Sequence, residues 1–261
     1  MAAKPNKRRS RPAGAAGRTA AKVAMRKRET ELDLRRAPLQ SRGQATFDHI
    51  LDATSQLLDE LGLEGVNTNT IAKAAGVNIA TLYQYFPNKR AVLLALFQRQ
   101  AERRVSTARS LLAGIGRTPH WPARIEAFVD GMARLRAELP GTAALMQAMR
   151  VDPELREHNL RAGDAASAAF AEELLEGGRL SREDAKIVAR CVLEVNAALI
   201  DVWQQAFGGR NARLLGELKQ LHRRYLAAYL PEPATPKRSA AARAPSTRSK
   251  GRCPAGVRCT P

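Results

Sequence analysis

An all-α fold is what this sequence predicts, on three observations. Apolar residues recur at i, i+3, i+4 and i+7 through every long segment between residues 41 and 230. Pro- or Gly-containing breaks separate these segments. No stretch shows the strict alternation of a half-buried strand, and no internal repeat occurs.

Taken in order, the first helix starts near Ser41, where Ser41 and Gln44 fit a capping box. Its apolar residues Phe47, Ile50, Leu51, Thr54, Leu57, Leu58 and Leu61 hold the helical period, and Gly62 ends it. Two short helices follow within TNTIAKAAGVNIATLYQYF, residues 68–86. Asn67 caps the first, Gly76 supplies the left-handed residue that ends it, and Asn78 caps the second, which Pro87 stops. A three-residue connection containing glycine is what a helix-turn-helix corner requires. At 100° per residue, Leu82 and Phe86 of the second helix share a buried side. Ala80, Thr81 and Gln84 lie opposite, with Tyr83 and Tyr85 at the edges. That small, polar face suits a major groove, where hydroxyl and amide groups bond phosphates and base edges.

After Pro87, Asn88 caps a fourth helix that carries Lys89, Arg90 and the run AVLLALF and reaches about Ala113. Lys89 at its N-terminus suits a phosphate. Residues 114–122 read as a loop whose GxG lacks the third glycine and preceding strand of a nucleotide site. Further helices are expected near Pro122–Leu139, Gly141–Arg150, Pro153–Glu176, Arg182–Phe207 and Ala212–Leu230. Ser181 with Asp184 marks the start of the fourth of these.

The net charge of +18 is unevenly spread. Residues 1–40 hold twelve Lys/Arg against three Asp/Glu, and residues 231–261 hold seven against one. Both ends read as low-complexity, basic, disordered tails, with Met25 as an alternative start. Such a distribution implies a polyanionic partner. The three cysteines are too few and scattered for a disulfide framework, and Cys191 reads as a small core residue. The spacing of Cys253 and Cys259 is not one used for zinc, so no metal or cofactor is expected. Apolar runs are too short for a membrane span, and the N-terminus lacks the apolar segment of a secretory signal. A cytoplasmic, nucleoid-associated location is therefore expected. His49, His120, His158 and His222 are far apart, and no GxSxG, HExxH or P-loop pattern occurs. No catalytic residue is assigned.

TIAKAAGV followed by ATLYQYFPNKRAVL closely resembles the DNA-binding domain of TetR-type transcriptional regulators, over about Ser41 to Phe97. Two positions depart from the pattern: Ile79 and Asn69 stand where many relatives have basic residues. The resemblance implies an N-terminal three-helix helix-turn-helix DNA-binding domain, residues 41–100. A helical ligand-binding and dimerisation domain, residues 101–230, would follow. Wheel geometry and resemblance together make Thr68, Asn69, Ile79, Ala80, Thr81, Tyr83, Gln84, Tyr85 and Lys89 candidates for contact with double-stranded DNA. In such proteins the last two helices pair with their symmetry mates. This makes Val195, Leu199 and Val202, with Leu214, Leu218, Leu221 and Tyr225, candidates for a homodimer interface. Relatives also hold small effectors between helices, so Phe128, Met132, Met146, Met149, Phe170 and Trp203 are candidate pocket walls. The function implied is a ligand-responsive repressor on a palindromic operator. The alternative is an architectural DNA-binding protein dominated by its tails.

Residues 41–90 carry four Lys/Arg against five Asp/Glu, so the reading corner neutralises few phosphates by itself. Deleting residues 1–40 and 231–261 is expected to flatten the dependence of log K on log salt, by roughly 0.9 per lost phosphate contact. The preferred operator should stay unchanged. Binding titrations across a salt series check this, and an unchanged slope would show the tails to be bystanders.

Overall fold

The computed structural model describes residues 41–232, and the side chains from Gly43 onward. The readings for residues 1–40, for the tail beyond residue 232 with Cys253 and Cys259, and for the Ser41 cap lie outside this range. Among the described residues there are nine α-helices, one 3-10 turn and no strand. They are α1 (Ser41–Gly65), α2 (Thr68–Ala74), α3 (Ile79–Tyr85), α4 (Lys89–Leu112), α5 (Trp121–Ala137), α6 (Thr142–Val151), α7 (Pro153–Leu175), α8 (Arg182–Phe207) and α9 (Ala212–Leu226). The 3-10 turn, Ile115–Arg117, sits between α4 and α5, in the stretch expected to be a plain loop. Gly62 does not end α1. It breaks the helix with φ 67° and ψ −175°, after which helical structure resumes to Gly65.

The apolar faces pack into two cores. The first joins Ile50, Leu51 and Leu58 of α1, Ile71 of α2, Leu82 of α3 and the early α4 residues Val92, Leu93 and Leu96. It also takes in Leu145, Ala148 and Met149 of α6 and Leu155 of α7. The second joins Trp121, Ile125 and Phe128 of α5, Phe170 and Leu174 of α7, Val188, Val192 and Ile200 of α8, and Leu218 and Leu226 of α9. Helix α4 is continuous from one core toward the other, so residue 100 falls inside a helix.

Where α5 turns into α6, the backbone presses against α1. Ser55 Oγ donates to the carbonyl of Pro140 at 2.7 Å, and Gly141 N–H donates to Asp59 Oδ1 at 2.8 Å. Gly141 has φ +66°, and a Cβ there would lie 2.3 Å from the Ser55 carbonyl oxygen. Only glycine meets both demands. On the other side of α4, Arg90 donates to Asp152 at 2.7 Å and to Glu154 at 3.3 Å, which fixes α4 to the start of α7. Asp152 also caps α7 by accepting from the N–H groups of Glu154 and Leu155.

His222 on α9 is fully buried, and neither ring nitrogen has a hydrogen-bond partner. Burial disfavours the imidazolium and lowers its pKa from 6.5 to about 4. The unfolded chain therefore binds a proton near pH 6.5 that the folded chain refuses until about pH 4. Stability contributed by the neutral ring is complete above pH 6.5 and is lost as pH falls through that window. The full loss is about 3 kcal/mol. His222→Leu is expected to remove this part of the acid sensitivity. Thermal unfolding of both proteins at pH 7.5 and pH 5 should show a smaller drop in the variant.

Candidate DNA-reading corner and effector cavity

The corner is built by local bonds. Asn67 Oδ1 accepts from Asn69 N–H and Thr70 N–H, both at 3.0 Å, while Thr70 Oγ1 accepts from Asn67 N–H at 2.9 Å. This is a capping box with threonine in the return position. At the other end of α2, Gly76 takes φ +60°. Its N–H bonds the Lys73 carbonyl and that of Val77 bonds the Ala72 carbonyl, the two bonds of a Schellman stop. Asn78 Oδ1 then accepts from Ala80 N–H at 2.9 Å and starts α3. Phe86 leaves the helix in extended conformation (φ −122°, ψ 120°), as a residue before proline must.

Leu82 and Phe86 are fully buried, with the Phe47 ring stacked 5.0 Å from that of Phe86. Asn69, Ala80, Tyr83 and Gln84 face solvent, and Thr68 and Thr81 are half-buried. Tyr83 Oη and Thr68 Oγ1 lie 3.2 Å apart and tie α3 to the start of α2. Three more of the expected contact residues have structural duties. Ile79 packs its side chain against the first core, which accounts for an apolar residue at that position. Tyr85 is half-buried and meets Phe47 edge-on at 6.1 Å. Lys89 does not project freely from its helix end: its Nζ donates to the Leu63 carbonyl at 2.7 Å. Burial holds this ammonium below its ordinary pKa, with Glu64 opposing the shift.

A cavity of about 310 Å³ lies between α4, α5, α6, α7 and α8. Phe97, Ala101, Val105 and Leu112 of α4 form one wall. Phe128 and Met132 of α5, Met146 of α6, and Leu160 and Phe170 of α7 form much of the remainder. Met149 and Trp203 do not line it: Met149 is buried in the first core and Trp203 in the second. Sequence reasoning missed the polar part of the wall, which includes Arg104, Arg150, Asn196 and Asp201. For Arg104 a signal existed, because it interrupts the stripe Phe97, Ala101, Val105, Ala108, Leu112 on one side of α4.

The outer faces of α8 and α9 carry a second apolar surface. Val202 and Leu221 are each 45% exposed, and Ile187 and Phe207 of α8 are exposed as well. Val195, Leu199, Leu214 and Tyr225 are half-buried against the second core. Leu218 is only 1% exposed, so it belongs to the protomer's own core and not to this face. Cys191, expected inside, is exposed on α8. Burial and a hydrogen bond with Cys191 push the Tyr225 phenol up to about 12.

Among the described residues, no group of three or more His, Cys, Asp or Glu is placed to hold a metal ion. No described helix is long and apolar enough to cross a membrane.

Comparison with known proteins supplies the family. Residues 50–96 match the bacterial regulatory proteins of the tetR family, and residues 120–226 match the tetracyclin repressor-like C-terminal domain. The transcriptional repressor KstR of Rhodococcus jostii is 30% identical over 167 residues, covering 59% of this chain and 70% of that protein. KstR of Mycolicibacterium smegmatis is 34% identical over 132 residues, covering 50% of this chain and 56% of its own length. Among solved structures, a TetR-family regulator from Streptomyces coelicolor aligns with TM-score 0.55 and 25% identity, over 71% of this chain and 99% of its own. The fatty acid degradation regulator FadR from Bacillus halodurans aligns with TM-score 0.57 and 26% identity, over 69% and 94%. A helix-turn-helix corner on a helical body, matched by both family domains, makes this chain a member of the TetR family of DNA-binding transcriptional regulators.

Proposed function

We propose that the protein is a cytoplasmic, ligand-responsive repressor that binds a palindromic operator as a homodimer. The observation that carries this reading is the continuity of α4, which starts beside the reading corner and ends as a wall of the cavity. In this reading residues 41–100 recognise DNA, residues 101–230 bind effector and partner, and no catalytic step is involved. Occupation of the cavity moves α4 against α7. The bonds from Arg90 to Asp152 and Glu154 then carry that movement to the corner. Two α3 helices set about 34–36 Å apart occupy successive major grooves, and a change in their separation weakens binding. Effector and operator are thereby coupled through one element, and each lowers affinity for the other. Selection of bound sequences from a random DNA pool, followed by footprinting, tests this. A discrete palindrome supports the repressor, whereas uniform coating would favour an architectural protein governed by its tails.

Asn69, Thr81, Tyr83 and Gln84 are the proposed base and phosphate contacts, since their side chains border the exposed face. Gln84 can bond adenine through both amide atoms, worth about 1–3 kcal/mol of discrimination. Gln84→Ala is expected to relax the selected consensus at one position per half-site, roughly tenfold to a hundredfold, while non-specific affinity is kept. Sequence selection on the variant checks this directly.

The dimer is assigned to the exposed face of α8 and α9 centred on Val202 and Leu221. Leu221→Glu would bury a carboxylate without a partner at that interface. The expected outcome is a monomer in sedimentation with helical circular dichroism retained. Leu218→Glu, by contrast, is expected to unfold the protomer, because Leu218 lies in its core.

A further inference from the structure

The cavity wall carries four arginines, Arg104, Arg109, Arg150 and Arg190, against three carboxylates, Glu173, Glu194 and Asp201. Asp201 of α8 accepts from Arg136 Nε at 2.9 Å and lies 3.9 Å from Arg150 Nη2. Arg104 of α4 shares the same neighbourhood, attracted by Asp201 and repelled by Arg136. Three guanidinium groups from α4, α5 and α6 thus share the neighbourhood of one carboxylate, and of these Arg104 and Arg150 line the cavity. Of the other ionic groups of the wall, Arg109 is exposed on α4. Arg190 pairs with Asp164 and Glu194, both at 2.8 Å, and Glu173 accepts from the Gly114 N–H.

Arg104 is the unsatisfied member of the cluster. Its Nη1 is buried without a hydrogen-bond partner, and its guanidinium sits 5.7 Å from the Phe97 ring centre. A guanidinium stays charged at any ordinary pH, so the free donor is a charged one. An uncompensated buried cation is costly, and an acceptor supplied from outside relieves that cost. A second polar atom is also open: Asn196 is 2% exposed, lines the cavity and has no partner for its Oδ1. The remaining walls are mostly alkyl and aromatic, including Leu112, Phe128, Met132 and Phe170.

We propose that the ligand of this cavity is an amphipathic carboxylate, with its apolar body between α5 and α7 and its head on Arg104 beside Asp201. A charge-assisted bond to Arg104 Nη1 satisfies the free donor and offsets the cationic excess. A neutral alcohol can also accept from that donor, but without the charge assistance that makes the carboxylate bond the stronger one. An ammonium head cannot accept from Arg104 and is repelled by it and by Arg150. Because Arg104 projects from α4, the head group would also grip the helix that leads to the reading corner. This assignment rests on the reading of the cavity as the effector site.

Decanoate, 1-decanol and decylamine share one tail and differ in the head, so calorimetric titration of the full chain with each isolates the head-group preference. Decanoate is expected to bind roughly tenfold to a hundredfold more tightly than decanol, with decylamine weakest. Arg104→Met should abolish the preference. Should that variant not fold, Arg150→Met should reduce the preference instead. Equal binding of decanoate and decanol, tighter binding of decylamine, or no binding by any of the three would overturn the proposal. Operator release is measured separately on DNA selected by the protein. Decanoate that binds with the expected preference yet leaves the DNA complex intact would uphold the head-group assignment and refute the effector role.

Discussion

The architecture depends on one close approach of backbone to backbone. Gly141 touches α1 where a methyl group would collide with the Ser55 carbonyl and with Leu58 Cβ. Two hydrogen bonds, from Ser55 and to Asp59, close over the same spot. Because the turn is so near, α6 can send Leu145 and Met149 into the first core, alongside the α1 residues Leu51 and Leu58. The reading corner is therefore not a bead on a string. Its core is completed by the body, and the body's ionic contacts reach back to it through Arg90. Residues of α6 and α7 thus pack in the same core as the corner, the kind of contiguous contact through which two sites can be coupled.

What the sequence made legible was chiefly local. Asn67, Gly76, Asn78, Asn88 and Ser181 act within three or four residues of themselves, and each cap or stop is visible in the chain as written. A helical wheel likewise separates Leu82 from Gln84 without knowledge of the fold. It cannot say which neighbour covers an apolar face. Leu218 and Leu221 lie three residues apart on α9 and read alike, yet one is core and the other is exposed. Met149 and Met146 divide in the same way between core and cavity. The exposure of Cys191 and the tethering of Lys89 escape the sequence for a related reason. Their surroundings, the Tyr225 ring and the Leu63 carbonyl, come from distant parts of the chain.

The cavity repeats this lesson in its polar half. Phe128, Met132, Met146 and Phe170 are large, soft side chains that composition alone brings to attention. The cluster at Asp201 draws on four helices, α4, α5, α6 and α8, and no spacing rule connects residues 104, 136, 150 and 201. Charges assembled across that much sequence are a property of the packed bundle. They make the cavity chemically specific where its apolar walls would only be accommodating.

The brevity of α3 has a consequence for how such a protein changes over time. Seven residues are too few to form a stable helix alone, so this one persists only because Leu82 and Phe86 are anchored beneath it. Ala80 and Gln84 take no part in that anchoring. Substitutions there change the groups presented by the exposed face while leaving the anchoring side chains in place. Under the proposed reading of that face, a duplicated gene can drift to a new regulatory target in single steps, each passing through a folded protein.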